Sequence, residues 1–224
     1  KAFLGFASGV MVAASVWSLL IPAMEMSDGL GRLAFFPAVT GFLLGMAFLL
    51  FLDMVVPHLH MDTDQPEGAK SNWKKSTMLV LAVTLHNIPE GMAVGVAFAG
   101  MLAKSESITL AGAMALSLGI AIQNFPEGLC VSVPLRKQGF SGGKAFFFGQ
   151  FSGFVEVIAG VLGAVAVGFI SALLPWALAF SAGAMIAVSC AELIPSCVNE
   201  GKTTAVCGVS FGFALMMLLD VLLG

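Results

Sequence analysis

Charge is scarce in this chain. Of its 224 residues, 10% are Asp, Glu, Lys or Arg and 58% are hydrophobic. A soluble domain carries roughly 25% charged residues, because they cover its water-facing surface. The composition therefore excludes a soluble globular domain, a disordered chain and a coiled coil. The sequence also lacks a basic run, and its net charge is −3, which excludes nucleic acid as the main partner.

Cysteine is also sparse. The four cysteines form no CxxC pair, and they are Cys130, Cys190, Cys197 and Cys207. This spacing gives no disulfide framework. We interpret all four as packing residues, because none has a partner at metal-ligand spacing.

Long apolar runs are abundant. Seven stretches have the roughly 20 mostly apolar residues that a helix needs to cross a bilayer: 2–24, 37–57, 77–102, 108–133, 145–170, 174–197 and 203–224. No alternating barrel pattern appears, so the spans are helices. The sequence predicts an all-α polytopic membrane helix bundle that forms one transmembrane transport domain over 1–224. Its longest loop, 58–76, is rich in His and acidic residues.

The basic residues predict the orientation of the bundle. Eight of them fall on one side of the membrane: Lys1, Lys70, Lys74, Lys75, Arg136, Lys137, Lys144 and Lys202. Only Arg32 and Lys104 fall on the other side. Basic residues accumulate on the cytoplasmic side. Loop 58–76 is therefore predicted to be cytoplasmic, and the C-terminus is predicted to face outside.

The chain repeats internally. Residues 85–96 (LHNIPEGMAVGV) align with 122–133 (IQNFPEGLCVSV), residues 8–25 resemble 182–200, and 49–56 resemble 217–223. The members of each pair cross the membrane in opposite directions, as in the inverted repeats of secondary transporters. The stretch 145–170 has no counterpart. This predicts an eighth span before Lys1 that is missing here.

Acidic residues lie inside the spans, whereas every basic residue lies in a loop or at a span end. The six acids are Asp53, Glu90, Glu127, Glu156, Glu192 and Asp220. A charge deep in a bilayer costs at least a few kcal/mol, and such carboxylates usually mark an ion or proton path. The missing counter-charge is a cation, a proton or water, and we interpret the set as a cation pathway.

Two Pro-Glu-Gly motifs, 89–91 and 126–128, lie in the densest cluster of polar groups and are called the PEG motifs here. His86 and Glu90 are four residues apart and share a helix face that Asn87 borders, and Pro89 permits a bend. The second copy supplies Gln123, Asn124 and Glu127. One imidazole, two carboxylates and three amide oxygens suit zinc or iron. The alternative is that these groups hydrogen-bond each other, which would require protonated carboxylates.

Further acids flank the motifs. Glu156 adds a third carboxylate, so the positive charge of two divalent ions would nearly balance the negative charge of the site. The alternative is a protonated Glu156 that is hydrogen-bonded to a backbone carbonyl. Asp53, His58, His60 and Glu192 form a candidate release route, against the alternative of a solvated loop and a helix-end acid. Glu25 and Asp220 form a candidate entrance at the other end, or are plain interfacial acids.

The pairing of HNIPEG with QNFPEG 37 residues later resembles the ZIP family of divalent metal transporters, in particular its bacterial GufA-like branch. The resemblance extends over SVWSLLIPA, FLDMVVPHLH, FSGFVEV and AELIPS. It implies eight spans with both termini outside and a bacterial inner-membrane location. It also implies two metal sites that share Glu90 and Glu127. Met11, His86 and Gln123 complete the first, and Asn87, Asn124 and Glu156 complete the second.

The resemblance implies transport rather than an enzyme activity. Zinc is the expected cargo and bound metal, with cadmium (Cd²⁺), iron (Fe²⁺) or manganese as related ions, moving toward the cytoplasm. Two departures bear on metal choice: Gln123 replaces a His that many members carry, and Ala191 stands where some members have a ligand. The alternatives are a cation channel and an intramembrane metal-dependent hydrolase, although no HExxH occurs. The expected partners are metal ions and lipid, and a homodimer is left open.

Overall fold

The computed structural model describes residues 2–59, 68–70, 72–199 and 201–223. Seven helices in these ranges are long and apolar enough to cross a membrane, which confirms the predicted membrane bundle. They are α1 (Ala2–Glu25), α2 (Phe35–Val55), α3 (Lys75–Leu102), α4 (Leu110–Lys137), α5 (Gly142–Phe169), α6 (Ser171–Val198) and α7 (Lys202–Leu223). Each lies within a few residues of its predicted span.

Local sequence signals set the ends of α4 and the start of α5. The Thr109 hydroxyl accepts a hydrogen bond from the Gly112 amide at 2.9 Å, and Ser141 accepts one from Lys144 at 3.4 Å. These caps satisfy backbone donors that a first helical turn leaves unpaired. Arg136 and Lys137 occupy the last turn of α4, where the helix dipole favours cations.

Three of the helices are irregular. π-Helical segments interrupt α1 at Ser15–Leu20 and α6 at Ser189–Leu193, and Gly153 divides α5 into two helical segments. The two π segments lie at equivalent positions of the internal repeat. The first has six residues and the second has five. Accordingly, the distance from Ser15 to Pro22 is one residue longer than the distance from Ser189 to Pro195. By contrast, α3 continues as a single helix through Pro89, where the sequence permitted a bend.

Glycines bring α1 against α7 and α2 against α6. A Cβ on Gly9 would overlap the backbone carbonyl of Val209, and one on Gly183 would overlap that of Phe42. Gly9 and Gly183 are equivalent in the repeat, as are Val209 and Phe42. The same contact is therefore made twice, once in each half of the inverted repeat.

A second pair of contacts follows the same symmetry. A Cβ on Gly45 would overlap the carbonyl of Phe180, and one on Gly212 would overlap that of Phe6. These small residues let the helix backbones approach closely, as expected for helices that pack within a membrane. The symmetric contacts support the inverted repeat read from the sequence.

The helices form two groups. The pairs α1–α7 and α2–α6 meet through α1 and α6, and α5 packs on α3 and α4 in a second group. Gly91 and Gly95 allow α3 to approach the α5 backbone at Glu156 and Gly160. The groups meet where α1 contacts α4 and α3 contacts α6. Both PEG motifs therefore lie in the second group, beside its boundary with the first.

Candidate metal centre

The two PEG glutamates are buried without compensation by hydrogen bonds. Glu90 is 0% exposed and Glu127 is 5% exposed. Among the described residues, none of their four carboxylate oxygens has a hydrogen-bond partner of acceptable geometry. Glu90 is close enough to Glu127 and Glu156 for mutual repulsion, and Glu127 is similarly close to Glu192. The structure thus gathers four acids around one region of the bundle.

Glu156 has a direct hydrogen-bond donor on α4. The Asn124 amide nitrogen lies 2.9 Å from Glu156 Oε1 and 2.8 Å from Oε2, so it donates to the carboxylate. The Asn124 oxygen in turn accepts from Gln123 Nε2 at 3.1 Å. The Gln123 oxygen is buried with no partner among the described residues. The second motif is therefore linked to α5 by a short hydrogen-bonded chain.

The break in α5 provides an anchor for Asn87. The last carbonyls of a helix have no partner within it, and the first part of α5 ends at Ser152. Asn87 Nδ2 donates to the Ser152 carbonyl at 3.2 Å. This bond fixes the orientation of the Asn87 amide. The amide oxygen is buried and has no partner in the described part of the chain, so it remains available to coordinate a metal.

His86 associates with the predicted release route. Its Nε2 lies 2.6 Å from Glu192 Oε1. Asp53, His86 and Glu192 each offer one ligand atom, and these atoms lie within 4.8 Å of one another. The sequence analysis assigned His86 to the central pair, and it assigned Asp53 and Glu192 to the release route together with the two loop histidines. The structure joins Asp53, His86 and Glu192, because α6 brings Glu192 across the group boundary to α3.

The structure describes one of the two loop histidines. His58 is fully buried, and its Nδ1 donates to the Val56 carbonyl at 2.8 Å. His60 lies outside the described residues, so its predicted role stays a prediction. The structure does not place His58 among the three clustered ligand atoms of Asp53, His86 and Glu192.

Met11 is fully buried in α1. Its sulfur accepts a hydrogen bond from the Ser189 hydroxyl at 3.8 Å, and Ser189 begins the π segment of α6. This contact places the sulfur between the two repeat-related helices of the first group. Ligation of a metal by Met11 stays a prediction.

The candidate entrance residues share a cavity. Glu25, Glu106 and Asp220 all line a space of about 300 Å³ at the end of the bundle that carries the α3–α4 connection. The Ser18 hydroxyl donates to Asp220 Oδ1 at 2.6 Å. The sequence predicted Glu25 and Asp220 for this role. It missed Glu106, which precedes α4 and is brought in by the turn after α3.

A smaller cavity has Cys130 in its lining. This space of about 40 Å³ is lined by His86, Glu127, Glu192 and Cys130. Cys130 is three residues after Glu127 and therefore shares its helix face. That spacing was visible in the sequence, but Cys130 has no second cysteine near it and was interpreted as packing.

The donor chemistry fits a divalent cation. Carboxylate, imidazole and amide oxygen donors suit zinc and similar metals. Buried carboxylates without donors need a proton or a bound cation to offset the cost of desolvation. The central glutamates and the His86 cluster are therefore the two groups in which the described residues could bind such an ion.

Comparisons with known proteins agree with this chemistry. The model of the ZIP zinc transporter family matches residues 62–220. The chain is 39% identical to zinc transporter ZIP11 of Homo sapiens over 99% of this chain and 87% of that protein. It is 38% identical to zinc transporter GufA of Myxococcus xanthus, over 93% of this chain and 81% of that protein. It is 40% identical to zinc transporter ZIPB of Bordetella bronchiseptica, over 100% of this chain and 71% of that protein. The chain belongs to the ZIP family of zinc transporters.

Proposed function

We propose that this chain carries zinc across a membrane through a site centred on Glu90 and Glu127. The observation that carries the proposal is their burial with four oxygens that lack hydrogen-bond partners among the described residues. A divalent ion between them would supply the missing positive charge. The names of the relatives, all zinc transporters, support zinc as the cargo.

The central site holds two ions in this proposal. Glu90 and Glu127 bridge them. The side-chain oxygens of Gln123 and Asn87 are buried and have no partners in the described ranges, so they can coordinate an ion without losing a hydrogen bond. Asn124 and Glu156 must first give up their mutual hydrogen bonds. His86 and Met11 complete the first position.

Release follows through the cluster of Asp53, His86 and Glu192. His86 is one helical turn from Glu90, and its ring lies with Glu192. An ion can therefore pass from the glutamate pair to the cluster by exchanging one ligand at a time. The excess of basic residues beside loop 58–76 supports a cytoplasmic location for this end, so transport runs toward the cytoplasm of a bacterial cell.

Alternating access in this proposal is a movement between the two helix groups. The symmetric glycine contacts make α1–α7 and α2–α6 close-packed pairs, and α3 is locked to α5 in the same way. The boundary between the groups contains the polar residues and so is the more easily separated surface. Inverted repeats generally move in this manner around a fixed site.

Uptake of labelled zinc by proteoliposomes tests the proposal. We expect Glu90→Ala to abolish flux, because one bridging carboxylate is lost, while Asp28→Asn on the exposed turn between α1 and α2 retains it. Undiminished flux in Glu90→Ala would refute the assignment. Single-channel currents in planar bilayers would favour a channel over a carrier.

A further inference from the structure

Cys130 lines a cavity that also contacts Glu127 of the central site. Gln123, Glu127 and Cys130 occupy one face of α4 on successive turns. The cavity of about 40 Å³ that Cys130 lines also contacts His86 on α3 and Glu192 on α6. Three helices thus converge on a single small space between the PEG glutamates and the Asp53 cluster.

We propose that Cys130 is a metal ligand of this space and favours zinc and cadmium over manganese. The inference rests on the proposed transport function and adds a specificity-determining residue to it. A second observation supports a ligand here: Glu127 lines the same cavity, is 5% exposed, and has two oxygens without partners among the described residues.

The donors around the cavity form a zinc set. His86 supplies nitrogen, Cys130 supplies sulfur, and Glu127 and Glu192 supply oxygen. Zinc is commonly held by four such ligands in a tetrahedron. Sulfur binds as the thiolate, so metal binding releases the thiol proton to water. Thiolates select soft and borderline metals, whereas manganese prefers oxygen.

The size of the cavity strengthens this selection. A water molecule needs roughly 10–15 Å³ of such space, so about 40 Å³ admits an ion with few waters. The ion must therefore exchange its hydration shell for protein donors. That exchange is favourable for a metal that binds nitrogen and sulfur strongly, and less favourable for one that prefers oxygen.

A binding measurement tests the ligand directly. The variant with Cys190→Ser, Cys197→Ala and Cys207→Ser keeps Cys130 as its single thiol. Titration of this purified protein with cadmium should produce the ultraviolet charge-transfer band of a cadmium–thiolate bond. Adding Cys130→Ser should remove the band. Absence of the band in the single-thiol protein, or a band that persists without Cys130, would overturn the proposal.

The same comparison is made between the unmodified chain and Cys130→Ser alone, in case the multiple variant fails to fold. The unmodified chain should show more cadmium–thiolate absorbance than Cys130→Ser, and equal absorbance would overturn the proposal. Both measurements report binding at equilibrium and do not depend on transport. Failure of the transport proposal would appear separately, as undiminished zinc flux in Glu90→Ala.

Flux measurements test selectivity. In proteoliposomes, Cys130→Ser should lower the ratio of cadmium flux to manganese flux by about tenfold, the size expected for loss of about 1.4 kcal/mol of preferential binding. Cys207→Ser is the matched control, because Cys207 is exposed on α7, and it should keep the original ratio. A ratio that is the same in Cys130→Ser as in the unmodified chain would overturn the selectivity claim.

Discussion

His86 Nε2 and Glu192 Oε1 lie 2.6 Å apart and join the first PEG motif to the π segment of α6. The two residues belong to different helix groups, so their contact crosses the boundary where movement is proposed. π Segments within α-helices are frequently found at functional sites. Here the segment places Glu192 against His86 on α3. In the proposed mechanism the pair is both a ligand set and a contact that separates when the groups move.

Glu192→Gln is predicted to slow zinc release. The substitution keeps the size of the side chain but removes the negative charge that attracts the ion away from Glu127. We expect the maximal zinc flux in proteoliposomes to fall about tenfold or more, in line with loss of a metal-ligand partner. Stopped-flow uptake into vesicles loaded with a zinc-sensitive dye measures it.

Asp28→Asn is the control for Glu192→Gln, since it removes an exposed carboxylate from the turn between α1 and α2. It should transport like the unmodified chain. A Glu192→Gln flux equal to that of the control would mean that zinc bypasses the cluster formed by Asp53, His86 and Glu192.

Asn124→Asp is predicted to make folding more dependent on zinc. Asn124 donates to both Glu156 oxygens, so an aspartate would set carboxylate against carboxylate. Without metal, the variant should unfold at a lower temperature than the unmodified chain. With zinc, the extra charge should be neutralised, so the zinc-induced rise in melting temperature should exceed that of the unmodified chain by a few degrees. Thermal unfolding in detergent with and without zinc measures both values.

Asn124→Ser provides the comparison for Asn124→Asp, because it removes the donor without adding a charge. It should lower the melting temperature without enlarging the zinc-induced rise. If Asn124→Asp also gains nothing from zinc, then Glu156 and Asn124 do not share an ion, and the second metal position is wrong.

The sequence alone predicts the positions of the membrane spans and the acidic residues inside them. Span length follows directly from bilayer thickness, and the Glu90 and Glu127 motifs depend only on spacing along single helices. The contact of His86 with Glu192 joins residues from distant parts of the chain and depends on how α6 rotates through its π segment. No local spacing encodes that rotation. The proposed role of Cys130 could not be derived from spacing for a related reason, because His86 on α3 and Glu192 on α6 come together with it only in the folded protein.

Asp220→Asn is predicted to weaken zinc capture at the entrance. Asp220, Glu25 and Glu106 surround one cavity, and their charges raise the local concentration of cations. We expect the KM for zinc uptake to rise a few-fold with little change in maximal flux. The difference should shrink at high ionic strength, because salt screens charges beyond about 10 Å at 0.1 M. A fall in maximal flux with an unchanged KM would instead place Asp220 in the transport step.

Gly183→Ala is predicted to destabilise the first helix group. The added Cβ would overlap the Phe42 carbonyl, and backbone on a packed helix cannot move aside as a flexible side chain can. Overpacking typically costs about 1–3 kcal/mol, which should exceed the roughly 1 kcal/mol that alanine gains over glycine in a helix. The melting temperature in detergent should therefore fall by several degrees.

Gly168→Ala is the matched control for Gly183→Ala, because a Cβ at Gly168 on α5 meets no heavy atom within 4 Å. It gains helix propensity without a clash and should melt at the same temperature as the unmodified chain or slightly higher. Gly9→Ala is the repeat-related counterpart of Gly183→Ala and should destabilise to a similar degree, since its Cβ would overlap the Val209 carbonyl. Unequal losses for these two variants would mean that the two halves of the repeat differ in how tightly their helices pack.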